Sequence, residues 1–156
     1  MHRTLRLPAL LAAGALWISM GVAARAQDAN RDVVVTKADV GDVVERLSNR
    51  TGEFKGEFDA AVSHSMIDGT RLEDRAKKCA DNLQDSAKRL RDVFHDKRDK
   101  NNPAVRDAAD RTLAAGSELS QVVQSHRFTD KLQKDWDLLR SDLNALAQVY
   151  GLSPVQ

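Results

Sequence analysis

The residues of this 156-residue chain best suited to chemistry are two histidines and two aspartates: His64, Asp68, His126 and Asp130. Imidazole nitrogens and carboxylate oxygens are donors that divalent metals accept. The histidines fall near the ends of two apolar repeats, and the aspartates lie in the turns beside them. If those repeats are the first and third helices of an antiparallel set, all four side chains reach one pole, which makes it a candidate metal site. The competing reading is local, with each imidazole interacting favourably with the partial negative charge at the end of its own helix. The spacing matches no ligand signature, so no cofactor is expected.

Other constellations are incomplete. Cys79 is the single cysteine, so neither an internal disulfide nor an attached c-type haem can form. It sits on an apolar stripe between Ala76 and Leu83, where a buried, inert thiol is expected. A di-iron site needs Glu-x-x-His on two helices; none of the five glutamates precedes a histidine by three, and Asp92 and His95 give the related spacing once, on a charged face. Phosphate-cradling glycine loops and nucleophile elbows are absent. Phe54, Phe58, Phe94, Phe128, Trp136 and Tyr150 all lie on or beside apolar stripes, so none is left to stack on a base or a sugar. No catalytic residue is expected, and the chain reads as a non-enzyme.

The elements that carry these residues are legible from periodicity. Apolar side chains recur at three- and four-residue spacing through Val40 to Met66, Leu72 to Phe94, Val105 to Val123 and Phe128 to Tyr150, which predicts four amphipathic helices. The expected spans are about 37–67, 71–100, 103–126 and 129–150. Punctuation agrees: Gly69 can end a helix in the left-handed conformation, and Gly151 and Pro154 close the last one. Thr70 with Glu73 makes a capping box, Asn102 with Pro103 starts the third helix, and Thr129 the fourth. The stretch SMIDGTRLED at 65–74 is therefore a hinge between helices. Short connections force neighbouring helices to run antiparallel, so the expected fold is an all-α, up-down-up-down four-helix bundle over 37–151. Gly52 and Gly56 are expected to mark a bend or a close crossing in the first helix.

Ahead of the bundle, Arg3 and Arg6 precede the apolar LPALLAAGALWISMGVA and the small-residue site Ala24-Arg25-Ala26. This predicts a signal peptide at 1–26, cleaved before Gln27, with a flexible segment at 27–36 and a C-terminal tail at 152–156. Removing Arg3, Arg6 and Arg25 from the 24 basic residues leaves 21 against 23 acids. Near-neutral, interspersed charge offers no stripe for a phosphate backbone, which argues against nucleic acid. No stable membrane insertion is expected once the signal is removed.

FDAAVSHSMIDGTRLED, with its Ile-Asp-Gly-Thr-Arg junction, and DWDLLRSDLNALAQVYGL near the end resemble a group of small exported bacterial helical proteins. The resemblance implies a helical protein of the periplasm or beyond, and supplies no activity, ligand or site residue. The expected function is a binding or structural module of the cell envelope whose partner is another envelope protein. The alternative is a carrier holding a small ligand or metal in its core or at the pole of His64 and His126. The oligomeric state has no sequence signature here.

Overall fold

The structure is a computed structural model that describes the backbone of residues 37–156 and the side chains from Val40 onward. The signal peptide at 1–26 and the segment at 27–36 lie outside the described residues. Within them the chain forms four helices and no strand: α1 (Lys37–Val62), α2 (Arg71–Lys97), α3 (Pro103–Ser125) and α4 (Asp130–Tyr150). α1 packs on α2 and α4, and α3 packs on the same two. The apolar stripes meet in one core, with Leu47, Phe58, Leu83, Leu119, Trp136 and Leu143 almost wholly inaccessible. Two hydroxyls on the stripes, Thr51 and Thr112, are buried by donating to Leu47 O at 2.6 Å and Ala108 O at 2.8 Å, one turn back. Phe54 stands 5.5 Å from Phe58 and 5.7 Å from Trp136, and Phe58 is 5.4 Å from Phe128, so an aromatic row joins α1 to α4.

The helix starts follow their caps. Thr70 accepts from Leu72 N and Glu73 N, Asn102 from Ala104 N, and Thr129 from Leu132 N. Glu73 departs from the expected box: its Oε2 accepts from Gly69 N at 2.6 Å, while Thr70 N turns back to Ile67 O.

Two helix ends fall short of expectation. α1 stops at Val62, not 67, because the backbone tightens there into i→i−3 bonds from His64 N to Ala61 O and from Ser65 N to Val62 O. Ser65 Oγ also donates to Val62 O. The segment 63–70 then turns Ile67 into the core and leaves Met66 fully exposed, so Met66 is not on the stripe. Gly69, at φ 70, ends this turn and not the helix. α2 stops at Lys97, three residues early, where Arg98 takes the left-handed conformation (φ 49) and donates to Phe94 O at 2.7 Å. Asp99 Oδ1 accepts from Asn101 N, a local turn that competes with continuing the helix.

The close crossing is also elsewhere. A Cβ on Gly56 would meet nothing, and one on Gly52 only the flexible end of Gln84 at 3.4 Å. On Gly116 it would stand 2.8 Å from Leu143 Cδ1, so α3 and α4 approach closely here. The C-terminal tail is not loose. Val155 is buried, and Asn144 of α4 holds its main chain.

Candidate functional site

The polar ties between helices are unevenly distributed, and that distribution locates the site. Between α1 and α2, Glu45 meets His95 at 2.5 Å, Ser48 accepts from Arg91, Lys55 pairs with Asp81 at 3.0 Å, and Ser63 accepts from Lys77 at 2.8 Å. As the residue number rises along α1 it falls along α2. Between α1 and α4, Arg46 and Arg50 grip Asp142, and Lys131 binds Glu57. Here too the numbers run in opposite directions. Among the described residues no hydrogen bond or ion pair ties α2 directly to α3, or α3 to α4. The α2–α3 seam is therefore held by apolar contact alone.

At the end where α2 begins and α3 finishes, that seam opens into a groove of about 590 Å³. α2 contributes Leu72, Arg75 and Cys79; α3 and its cap contribute Glu118, Gln121, Val122, Ser125 and His126. Leu72, expected in the core, is half exposed on the lip at 49 %. It stands in the first turn of α2, where the seam opens into the groove. Arg75 and Glu118 are exposed on opposite walls, and among the described residues neither is in an ion pair. In the hollow between α1 and α4, about 230 Å³, most of the charges are engaged. Glu57 and Asp135 share Lys131 and Arg50 is committed to Asp142, which leaves Glu53 as the exposed carboxylate there that is in no ion pair among the described residues.

Cys79 lies on the groove wall, buried to within 8 %. Burial pushes its thiol above the usual value of 9.0, and the Glu118 charge adds to this against Arg75 and Lys78. It stays protonated at neutral pH, which makes it a weak nucleophile.

The four candidate metal ligands behave as separate groups. His64 Nδ1 is 2.7 Å from Ala60 O, one turn back in α1. His126 Nδ1 is 3.2 Å from Val122 O and 2.9 Å from Ser125 Oγ. Each ring thus binds a carbonyl at the end of its own helix, where the dipole favours a donor. Asp68 is exposed in the 63–70 turn, and Asp130 is exposed as the first residue of α4. Among the described residues, no three or more His, Cys, Asp or Glu side chains are grouped to hold a metal. The structure places His126 in the groove and brings none of the other three there.

Two arrangements had no part in the expected site. Asp142 is buried on α4 with its Oδ2 2.5 Å from Arg50 Nη1 and its Oδ1 3.5 Å from Arg46 Nε; Arg50 also donates to Leu138 O at 3.2 Å. The signal was available, since Asp142 stands on the apolar stripe between Leu139 and Leu146. The other is the seat of Val155, foreshadowed only by an apolar residue placed just after Pro154.

No family model matches this chain, and neither does any curated protein or solved structure compared with it. The resemblance in the hinge and the last helix is thus without support from these comparisons.

Proposed function

We propose that this protein is a non-enzymatic module of the cell envelope that works by protein–protein contact, through the face formed by α2 and α3. Export by a cleaved signal at 1–26 and an antiparallel up-down-up-down bundle belong to the same reading. The opposed numbering of the α1–α2 and α1–α4 pairs supports that topology, as does the ring of contacts in which α1 and α3 do not touch. No described helix is long and apolar enough to cross a membrane. The observation that carries the proposal is the uncommitted pair Arg75 and Glu118 flanking an open groove with Leu72 on its lip. Faces whose charges are already paired offer a partner little, because exposed pairs are worth only about 0–1 kcal/mol each.

Capture of partners from an envelope extract, with the chain beginning at Gln27 as bait, is the test. Binding should fall steeply between about 0.1 M and 1 M salt, as the screening length contracts from about 10 Å to about 3 Å. It should also fall in a chain carrying both Arg75→Glu and Glu118→Arg. Capture that ignores salt and both substitutions would refute the contact reading. A stoichiometric metal or organic ligand in native mass spectra, released by His64→Ala with His126→Ala, would establish a carrier instead.

A further inference from the structure

The seam between α3 and α4 lacks direct polar ties, yet it contains a built socket, and residues 154–156 fill it. Asn144 of α4 reads both main-chain groups of Val155: its Oδ1 accepts from Val155 N at 2.8 Å, and its Nδ2 donates to Val155 O at 3.3 Å. This is how a sheet edge reads a strand, performed by one side-chain amide. The Val155 side chain is 97 % buried, against the place where Gly116 lacks a Cβ; an added Cβ would lie 3.4 Å from Val155 Cγ2. Across the groove, Ser120 Oγ and Gln124 Nε2, one turn apart on α3, both donate to the main-chain oxygen of Gln156. Gln124 Nε2 also reaches Ser120 Oγ at 3.0 Å, so the two donors brace each other.

Each element of this socket recognises something general about a peptide. Asn144, Ser120 and Gln124 bind main chain, which every sequence has. The notch over Gly116 selects for side-chain size, admitting a small branched residue. Pro154 precedes it, with φ already set near the extended range, and biases Ser153 to be extended as well. Ser153 and Pro154 themselves are exposed. Gly151, at φ 60, turns the chain out of α4, and Leu152 N closes that turn on Ala147 O at 2.9 Å.

We propose that the α3–α4 socket is a binding site for a short extended peptide with a small branched side chain after proline. The chain's own residues 154–156 occupy it in cis, and the same segment supplied in trans takes their place. The occupant is defined by the contacts: one residue read at both N–H and C=O, its side chain in the Gly116 notch, and the next residue's main-chain oxygen held by α3. The proposal stands apart from the α2–α3 contact face, and either holds without the other.

The test uses the full chain and a labelled Leu-Ser-Pro-Val-Gln peptide. Val155→Asp puts a charge in the notch and expels the resident segment; helix content by circular dichroism shows whether the fold survives. In that chain the peptide should bind with affinity at least about tenfold above wild type, where a tethered competitor acts at millimolar effective concentration. A peptide with aspartate in place of valine should not bind, and Asn144→Leu added to Val155→Asp should abolish binding. A helical Val155→Asp chain that ignores the peptide overturns the proposal. If that chain is not helical, wild type decides: excess peptide should speed hydrogen exchange at the Val155 amide, and an unchanged rate overturns it equally.

Discussion

Alanine at Gly116 and alanine at Gly56 are the same chemical change in two helices, and only the second should stabilise the fold. Replacing a mid-helix glycine by alanine gains about 1 kcal/mol from backbone entropy and solvation. At Gly56, exposed on α1 with nothing within 4 Å of the new Cβ, that gain should appear undiminished. At Gly116 the Cβ would sit 2.8 Å from Leu143 Cδ1 and 3.4 Å from Leu143 Cδ2 and Val155 Cγ2. Carbon pairs are comfortable at about 3.5–4.0 Å, so Leu143 must retreat by most of an ångström. Leu143 is wholly buried, with no solvent to retreat into. Overpacking of that kind costs about 1–3 kcal/mol. Set against the same 1 kcal/mol gain, Gly116→Ala should range from neutral to about 2 kcal/mol destabilising. The gap between the two variants, about 1–3 kcal/mol, contains only the packing effect, because the propensity gain is common to both. Urea unfolding at matched m-value measures it. Equal stabilisation by both substitutions would mean that α3 and α4 are not in close contact at Gly116, and the crossing described above would be wrong.

Two further predictions concern the buried polar and thiol groups. Trp136→Ala should cost about 3–5 kcal/mol in urea unfolding. Trp136→Phe should cost much less, since the indole N–H has no partner in the core and leaving it out removes a penalty of about 1–3 kcal/mol; a phenylalanine variant as weak as the alanine one would show that the N–H is bonded. Burial raises the thiol of Cys79 and the phenol of Tyr150 above 9.0 and 10.0. The folded state therefore holds those protons more tightly than the unfolded one, so their contribution is complete below pH 9 and is lost as pH rises through the raised values. Cys79→Ala with Tyr150→Phe should flatten the alkaline fall in stability seen by thermal unfolding, and an unchanged fall would contradict the assignment.

Much of the fold was legible because helices announce themselves at both ends and along one face. Thr70, Asn102 and Thr129 cap the helices they were expected to start, and the four stripes supply the core. What escaped depended on competition between local and distant contacts. Ser65 and Ile67 belong to the same apolar run as Val62, yet local serine bonding ends the helix and Ile67 is buried by a turn. Arg98 adopts a conformation usual for glycine, so composition gave no warning that α2 would stop there. Gly52 and Gly56 advertised a crossing that Gly116 makes, since which glycine meets a neighbour depends on how the helices are set beside one another. The site was less legible still. His64 and His126 were singled out by chemistry that each satisfies within its own helix. The groove instead rests on Arg75 and Glu118, which two different helices bring to opposite walls of one hollow, and no pattern along a chain records that.

The uneven stitching of the helices also bears on how far one can slide along another. Hydrogen bonds and ion pairs fix an axial setting, because a shift of one turn, about 5.4 Å, mismatches every donor and acceptor at once. α1 has that assurance against both α2 and α4 through Lys55, Arg50 and their partners. α3 does not: apolar contact against α2 and α4 is non-directional, and a stripe of alanines and leucines tolerates translation. What sets α3 at one height is the hollow at Gly116 seated over Leu143 and Val155, together with the bonds from Ser120 and Gln124 to the Gln156 main-chain oxygen in the segment that Asn144 of α4 holds. A residue that looks like an absence thus acts as the alignment pin of the fourth side of the molecule, and through it the chain's last residues help to decide where the third helix comes to rest.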